Sequence, residues 1–407
     1  MERINLSNVV VENIEFEKLN IFFDDESKVV FLPLLWVIQL TNTELIYRWV
    51  KRGNFSGSNA KFGVRSKSLF EKTFEGNPVS PNTVKNYIGH LFQFLKYINE
   101  QHLLGKSPSV HNTELISSRF INDYLNNILP NKLNSVASLV AHQSAISAYF
   151  GFLFELELKE LPASTIYRKT NQLMAEKDLR QKKTNYISKS ERSALISHTT
   201  SIRDQIIIRL GFEVGLRTEE NTGLELNGKK TKYNHQKGLL SLFDELDNSP
   251  NKMSFEYVLQ GKYTKGGKTR NIYFERDLLS LMKRYFFGER LEIMQNSSRV
   301  CESLLVRADP VGLGMPINAG HASNVFSILR TQCDFMNQNL SYHDLRHTFA
   351  TELYHSELLD SAGHETRSES AAMLVVAERL GHKSLKSTIR YIRLRHQMLI
   401  IESAHFE

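Results

Sequence analysis

The feature that most constrains this chain is a C-terminal stretch, Ser341–Tyr391, in which imidazoles, a guanidinium and a phenol fall close together. It opens with His343-Asp344-Leu345-Arg346-His347 and runs on through Thr348-Phe349-Ala350-Thr351. It closes with Leu380-Gly381-His382 and, nine positions later, Tyr391. A phenol with a reference pKa of ~10 is a poor nucleophile at neutral pH. It becomes effective when cations stabilise the phosphate it attacks and another group handles protons. These residue types together point to phosphodiester cleavage by a tyrosine.

The 407 residues leave room for two or three domains, and a hydrophobic content of 41% is enough to bury real cores rather than leave the chain disordered. A formal net charge of +7 favours a polyanionic partner, although at this length the excess is modest. The two cysteines, Cys301 and Cys333, have neither metal-type spacing nor a disulfide framework, so a reducing cytoplasm is expected. The opening Met1-Glu2-Arg3-Ile4-Asn5 lacks the charged-then-apolar layout of a signal peptide. The longest apolar run, Val29–Leu40, is interrupted by Pro33 and is too short to span a bilayer. A soluble intracellular protein is expected.

Residues 1–61 mix short β-like runs with a helical piece, Leu34–Arg48, and form an N-terminal extension without evident chemistry. Ser80-Pro81 marks a helix start. Val84, Tyr87, Ile88, Leu91, Phe92, Leu95 and Ile98 then recur at helical spacing, with Lys85, Asn86, His90, Gln93 and Lys96 on the other face. Leu115–Leu129 and Val136–Leu156 predict two more helices, giving a helical domain over 62–175. A basic linker, 176–187, precedes a second domain, 188–407, which opens on a capping box from Ser188 to Glu191. In that domain, 227–252 reads as a polar surface insertion. Phe255–Tyr263 and Arg270–Phe274 read as a hairpin around Lys265-Gly266-Gly267-Lys268. Leu278–Phe287, Ala322–Asn337 and Thr348–Leu359 read as helices, Ser356–Ala371 as a loop, and Ile392–Ile401 as a helical tail.

Four separated pieces, Gly215-Leu216-Arg217-Thr218-Glu219-Glu220, Lys265-Gly266-Gly267-Lys268, His343-Asp344-Leu345-Arg346-His347, and Leu380-Gly381-His382 with Tyr391, resemble the tyrosine recombinase (phage integrase) family in content, order and the last spacing. The resemblance covers roughly 185–400 and extends less specifically to the helical segment before it. It implies a mainly α-helical fold with a small antiparallel β-sheet. A helical core-binding domain and a catalytic domain would clamp duplex DNA, and four protomers would assemble on two DNA sites.

It further implies that Arg217 and Arg346 clamp the scissile phosphate and that Tyr391 attacks it to give a 3′-phosphotyrosyl link. Lys265 would protonate the leaving 5′ oxygen, with Lys268 as its rival. His343 would handle protons near the tyrosine, His382 would hydrogen-bond the phosphate, and Glu220 would support the site from behind. His347 reads as structural. Arginine suits the clamp because it is always charged and forks onto two oxygens. The covalent link retains the phosphodiester's energy, so neither ATP nor metal is expected, and no cofactor.

Some features depart from the family pattern. The intervals from Arg217 to Lys265 and from Arg346 to His382 are long, and Asn221 stands where an apolar residue is usual. A type IB topoisomerase would use nearly the same residues as a DNA-relaxing monomer, and a non-catalytic DNA-binding regulator would lose some of them. The tail after Tyr391 either packs into a neighbouring protomer or docks on its own domain.

Overall fold

The structure is a computed structural model that describes residues 1–53, 70–133, 135–160, 185–230, 235–360, 363–382 and 389–403. The chain divides into two units, Met1–Lys183 and Thr184–Glu407.

In the first unit, strands β1 (Glu2–Val11) and β2 (Ile14–Phe23) pair antiparallel, from Glu2 opposite Phe23 to Val11 opposite Ile14. Helix α1 spans Phe31–Thr43, starting earlier and stopping sooner than the predicted Leu34–Arg48. Pro33 is accommodated because a first helical turn needs no N–H from it. Glu44 then takes a left-handed conformation that ends the helix, and Leu45 begins strand β3 (Leu45–Gly53), paired with β4 (Phe70–Pro78).

Helix α2 (Pro81–Leu103) follows the sequence pattern. Ser80 caps it by accepting the Thr83 N–H at 3.3 Å, and Val84, Ile88, Leu91, Phe92, Leu95 and Ile98 are buried. The predicted Leu115–Leu129 helix is instead broken into short pieces, with a π turn over Tyr124–Ile128 ahead of Pro130. Proline lacks the N–H that a regular α turn would use there and clashes with the carbonyl four residues back. Helix α3 (Val136–Glu155) is long and apolar enough to cross a membrane by composition, yet its Ile146, Tyr149, Phe150 and Leu153 are fully buried in this unit's core. Phe16, Leu19, Phe22, Trp36, Val37 and Leu40 belong to that same core, so the N-terminal segment read as an extension is part of the packed body.

The second unit opens on the predicted capping box, Ser188 with Glu191, at helix α4 (Lys189–Ser197). Part of the expected linker 176–187 falls outside the described residues. Its end does not behave as a linker, because Ile187 is fully buried and its N–H donates to Thr348 Oγ1 at 2.9 Å. Helix α5 (Ile202–Arg209) opens into a π turn, Leu210–Val214. Helix α6 (Leu239–Asn248) corrects the reading of 227–252 as surface insertion: Leu239, Leu242, Phe243 and Leu246 insert into the core.

Strands β5 (Ser254–Leu259) and β6 (Arg270–Glu275) pair from Ser254 opposite Glu275 to Leu259 opposite Arg270. Helices α7 (Arg276–Phe287), α8 (His321–Gln332), α9 (Tyr342–Leu358), α10 (Glu369–Leu380) and α11 (Arg390–Ser403) follow, with a short helix, Glu289–Gln295, after α7 and a two-residue strand pair, Lys229–Lys230 with His235–Gln236, ahead of α6. A second, smaller core joins α9, α10 and α11 through Ala350, Tyr354, Leu358, Ala372, Val376, Leu380, Tyr391 and Leu394. Helix α11 lies on its own unit. Leu394 and Met398 are buried, Arg395 Nε donates to His355 Nδ1 at 3.0 Å, and the Tyr186 hydroxyl donates to Glu402 Oε1 at 3.0 Å.

Candidate active site

The site is organised on one carboxylate. Glu220 stands in a short turn, Glu219–Gly223, and its side chain is fully buried. Arg270, the first residue of β6, forks onto it, Nη1 to Oε1 at 2.6 Å and Nη2 to Oε2 at 2.8 Å. Arg217 donates from Nη1 to Oε1 at 2.8 Å and from its backbone N–H to Oε2 at 2.7 Å. Arg346 Nη1 lies 3.5 Å from Oε2. Burial alone would push this carboxyl up. The hydrogen bonds and charge of Arg270, with the Arg346 charge and the Arg217 N–H, more than offset that and hold it at about 2. Three guanidiniums around one carboxylate leave the cluster with excess positive charge, which favours binding an anion.

Arg346 sits on α9 and is 1% exposed. Its Nη1 donates to the Gly215 carbonyl and its Nη2 to the Leu380 carbonyl, the latter at 2.6 Å. Both carbonyls are presented by helix ends that close on a left-handed glycine, Gly215 at φ +72° and Gly381 at φ +65°. A Cβ on Gly215 would stand 2.4 Å from the Phe349 ring, so the turn that aims this carbonyl at Arg346 requires glycine. Burial lowers the Arg346 guanidinium to about 9 against the support of Glu220, which still leaves it cationic at neutral pH.

Asn221, the departure from the family pattern, is fully buried. Its Nδ2 donates to the carbonyls of Arg217 and Thr218 and to the Tyr342 hydroxyl at 3.0, 3.3 and 3.0 Å, stitching the Arg217 turn to α9.

Tyr391 is the second residue of α11. It is 1% exposed, and its hydroxyl oxygen lies 3.4 Å from His347 Nδ1. The His382 ring stacks parallel to the Tyr391 ring, with centroids 6.2 Å apart, and His343 meets His347 edge-to-face at 4.4 Å. Burial raises the phenol's pKa, while Arg346, Arg390 and Arg217 pull it back without cancelling the rise. His343 has a solvent-facing edge. Desolvation of its ring, then Arg346, Arg217 and Arg390, lower it to about 4. Burial and the same three arginines hold His382 at about 4, and burial followed by His343, Arg390 and Arg346 hold His347 at about 2. All three imidazoles are therefore neutral at pH 7, and His347 is the one within reach of the phenol's proton. With the ring proton on Nε2, His347 Nδ1 accepts the Tyr391 O–H.

The structure thus brings together Arg217, Glu220, His343, Arg346, His382 and Tyr391. None of the described contacts within this cluster involves Lys265. Lys265 and Lys268 both stand exposed on the turn between β5 and β6, without a hydrogen bond or ion pair among the described residues. The turn itself is fixed by Gly267 N–H to the Thr264 carbonyl at 3.1 Å and Thr264 Oγ1 to the Lys268 carbonyl at 2.7 Å.

Sequence reasoning missed three participants. Arg270 has a legible signal in hindsight: with Ile272 and Phe274 it occupies the inward register of β6, where a charge demands a buried partner. His347, expected from the sequence to be structural, is the imidazole nearest the phenol. Arg390 directly precedes Tyr391 and acts on it through its charge. Among the described residues, no three His, Cys, Asp or Glu converge as metal ligands.

A buried phenol beside neutral imidazoles and a carboxylate-ordered arginine cluster, in a mainly helical unit with small antiparallel strand pairs, defines a tyrosine recombinase. The phage integrase family model matches residues 178–398, and the chain belongs to that family. It is 23% identical over 344 residues to tyrosine recombinase XerC of Listeria innocua serovar 6a, spanning 83% of this chain and 95% of that protein. It is 24% identical over 328 residues to XerC of Bacillus subtilis, spanning 79% and 88%. In fold it is similar to the XerH site-specific recombinase bound to its difH substrate in a pre-cleavage complex, with TM-score 0.53, 15% identity and 78% of each chain covered.

Proposed function

We propose that this chain cleaves and rejoins duplex DNA at specific sites through a 3′-phosphotyrosyl intermediate. The observation that carries this reading is the Tyr391 hydroxyl held by His347 beside guanidiniums that Glu220 sets in place. The Tyr391 oxygen attacks phosphorus and an O–P bond forms as the P–O5′ bond breaks. The phenol's proton passes to the His347–His343 pair, and Lys265 donates a proton to the departing 5′ oxygen. Arg217 and Arg346 bind the non-bridging oxygens, where charge builds in the transition state, and His382 donates to one of them. Rejoining reverses the steps, needs neither ATP nor metal, and completes strand exchange when the incoming 5′ hydroxyl belongs to a second duplex. Four protomers on two sites would perform the full exchange.

The test is a nicked duplex whose cleaved end diffuses away, which traps the intermediate. The expected outcome is a denaturant-resistant protein–DNA adduct on the peptide containing Tyr391. Tyr391→Phe is expected to bind DNA with unchanged affinity and form no adduct. An adduct in that variant would place the nucleophile elsewhere.

A further inference from the structure

The β1–β2 hairpin carries unspent chemistry on the face it turns toward α2. Its register sets Asn5 opposite Asn20, Ser7 opposite Lys18 and Arg3 opposite Phe22, so Arg3, Asn5, Lys18 and Asn20 share one face. That face, with Lys85, Asn86 and His90 of α2, lines a groove of about 620 Å³. Arg3 reaches across Gly89, its Nη1 3.6 Å from where a Cβ there would stand, and its guanidinium lies 5.6 Å from the Phe92 ring centre. His90 is held against the buried His142, ring centres 4.1 Å apart.

Among the described residues, Arg3, Lys18 and Lys85 have no carboxylate partner, and the carboxamides of Asn5, Asn20 and Asn86 make no hydrogen bond. Lys237 and Lys252, by contrast, both bind Glu245, at 2.8 and 2.5 Å. Glu44 is the single acid on the groove's walls. The three free cations come from three different elements with amides between them. That layout suits a row of anions better than one small ion, with amides that can both donate to and accept from base edges.

We propose that this groove seats the sugar–phosphate backbone of duplex DNA, which makes the N-terminal hairpin part of the DNA-binding surface. The inference rests on the recombinase reading but is tested separately from it. Full-length protein and Arg3→Ala/Lys18→Ala/Lys85→Ala are titrated onto a fluorescein-labelled mixed-sequence duplex across a salt series, read by anisotropy. Lys237→Ala/Lys252→Ala serves as control, and circular dichroism melts confirm folding.

The slope of log affinity on log salt is expected to fall by about 2.7 in the triple variant, or roughly 0.9 per lost phosphate contact, with no change in the control. Should loss of Arg3 disturb the hairpin, Lys18→Ala/Lys85→Ala alone removes two exposed side chains and is expected to lower the slope by about 1.8. A variant slope equal to that of the parent overturns the groove while leaving Tyr391 chemistry standing. Failure of the parent to form a Tyr391 adduct overturns the chemistry while the salt slope still reads the groove.

Discussion

Arg270 and Glu220 face each other in a buried, two-pronged ion pair, at 2.6 and 2.8 Å, that joins the hairpin to the turn bearing Arg217. The same carboxylate touches Arg217 and Arg346, so one acid sets the relative positions of three elements. Arg270 acts on the reaction through Glu220, which makes it a positioning residue. Among the described residues its Nε has no partner, so the fork is its polar anchorage there.

Removing one partner from such a pair strands the other's charge in the interior. Arg270→Ala is expected to lower stability by about 3–5 kcal/mol, read as a shift in the urea midpoint. Arg270→Lys keeps the charge but loses the fork, and should fall between parent and Ala. A positioning role further requires that Arg270→Lys slow adduct formation at saturating DNA more than it weakens DNA binding. Equal losses in both would leave Arg270 a purely structural residue.

The imidazoles give a signed pH dependence. In the unfolded chain a histidine titrates near 6.5. In the folded chain His343 and His382 are held at about 4 and His347 at about 2, by burial first and neighbouring cations second. Unfolding therefore takes up protons between those values, and stability rises with pH across that window and levels off above it. His142 in the first unit, lowered to about 4 by burial and then His90, has the same sign. Glu220, held at about 2 against an ordinary 4.5, adds a further loss as pH falls through the acid range. Urea midpoints at a series of pH values check this. A midpoint that stays flat or rises on acidification from neutrality would contradict imidazoles held neutral in the folded chain.

The fold's outline was legible because its strongest signals are local. Ser80-Pro81 and the Ser188–Glu191 box fix helix starts through hydrogen bonds within one turn, and α2's apolar stripe shows directly in its spacing. Arg217, Glu220, His343, Arg346, His382 and Tyr391 could be found as a set because their order survives insertions between them. What escaped depends on contacts across the fold. Nothing near residue 270 reveals that its partner lies at 220, and nothing near His347 reveals that a phenol on another helix lies against it. The helical character of 239–248 was hidden by the polar residues around it, although its four buried side chains sit on one face.

Gly215 tests the backbone side of the clamp. Alanine there faces both the left-handed φ of +72° and the Phe349 ring at 2.4 Å. Gly215→Ala is expected to cost more than the ~1 kcal/mol of a strained left-handed alanine alone, because Phe349 must also move. The displaced carbonyl would loosen Arg346, so adduct yield should fall with stability. Gly215→Ala/Phe349→Ala should recover part of the adduct yield by making room, and no recovery would separate the Gly215 carbonyl from Arg346 function.

Lys265 stands exposed on the hairpin turn and makes no hydrogen bond or ion pair among the described residues. Its role is separable by chemistry. A 5′ alkoxide is a poor leaving group and needs a proton, whereas a thiolate in the same position does not, its pKa being near 8.5. Lys265→Ala is expected to cut adduct formation on ordinary DNA by about 10²–10⁴-fold and to leave it near parental on a duplex with bridging sulfur at the scissile 5′ position. Lys268→Ala run beside it assigns the acid between the two rivals, since only the true donor shows rescue by sulfur. Loss in Lys265→Ala that sulfur does not restore would mean that this lysine binds DNA or shapes the turn, and that another group protonates the leaving oxygen.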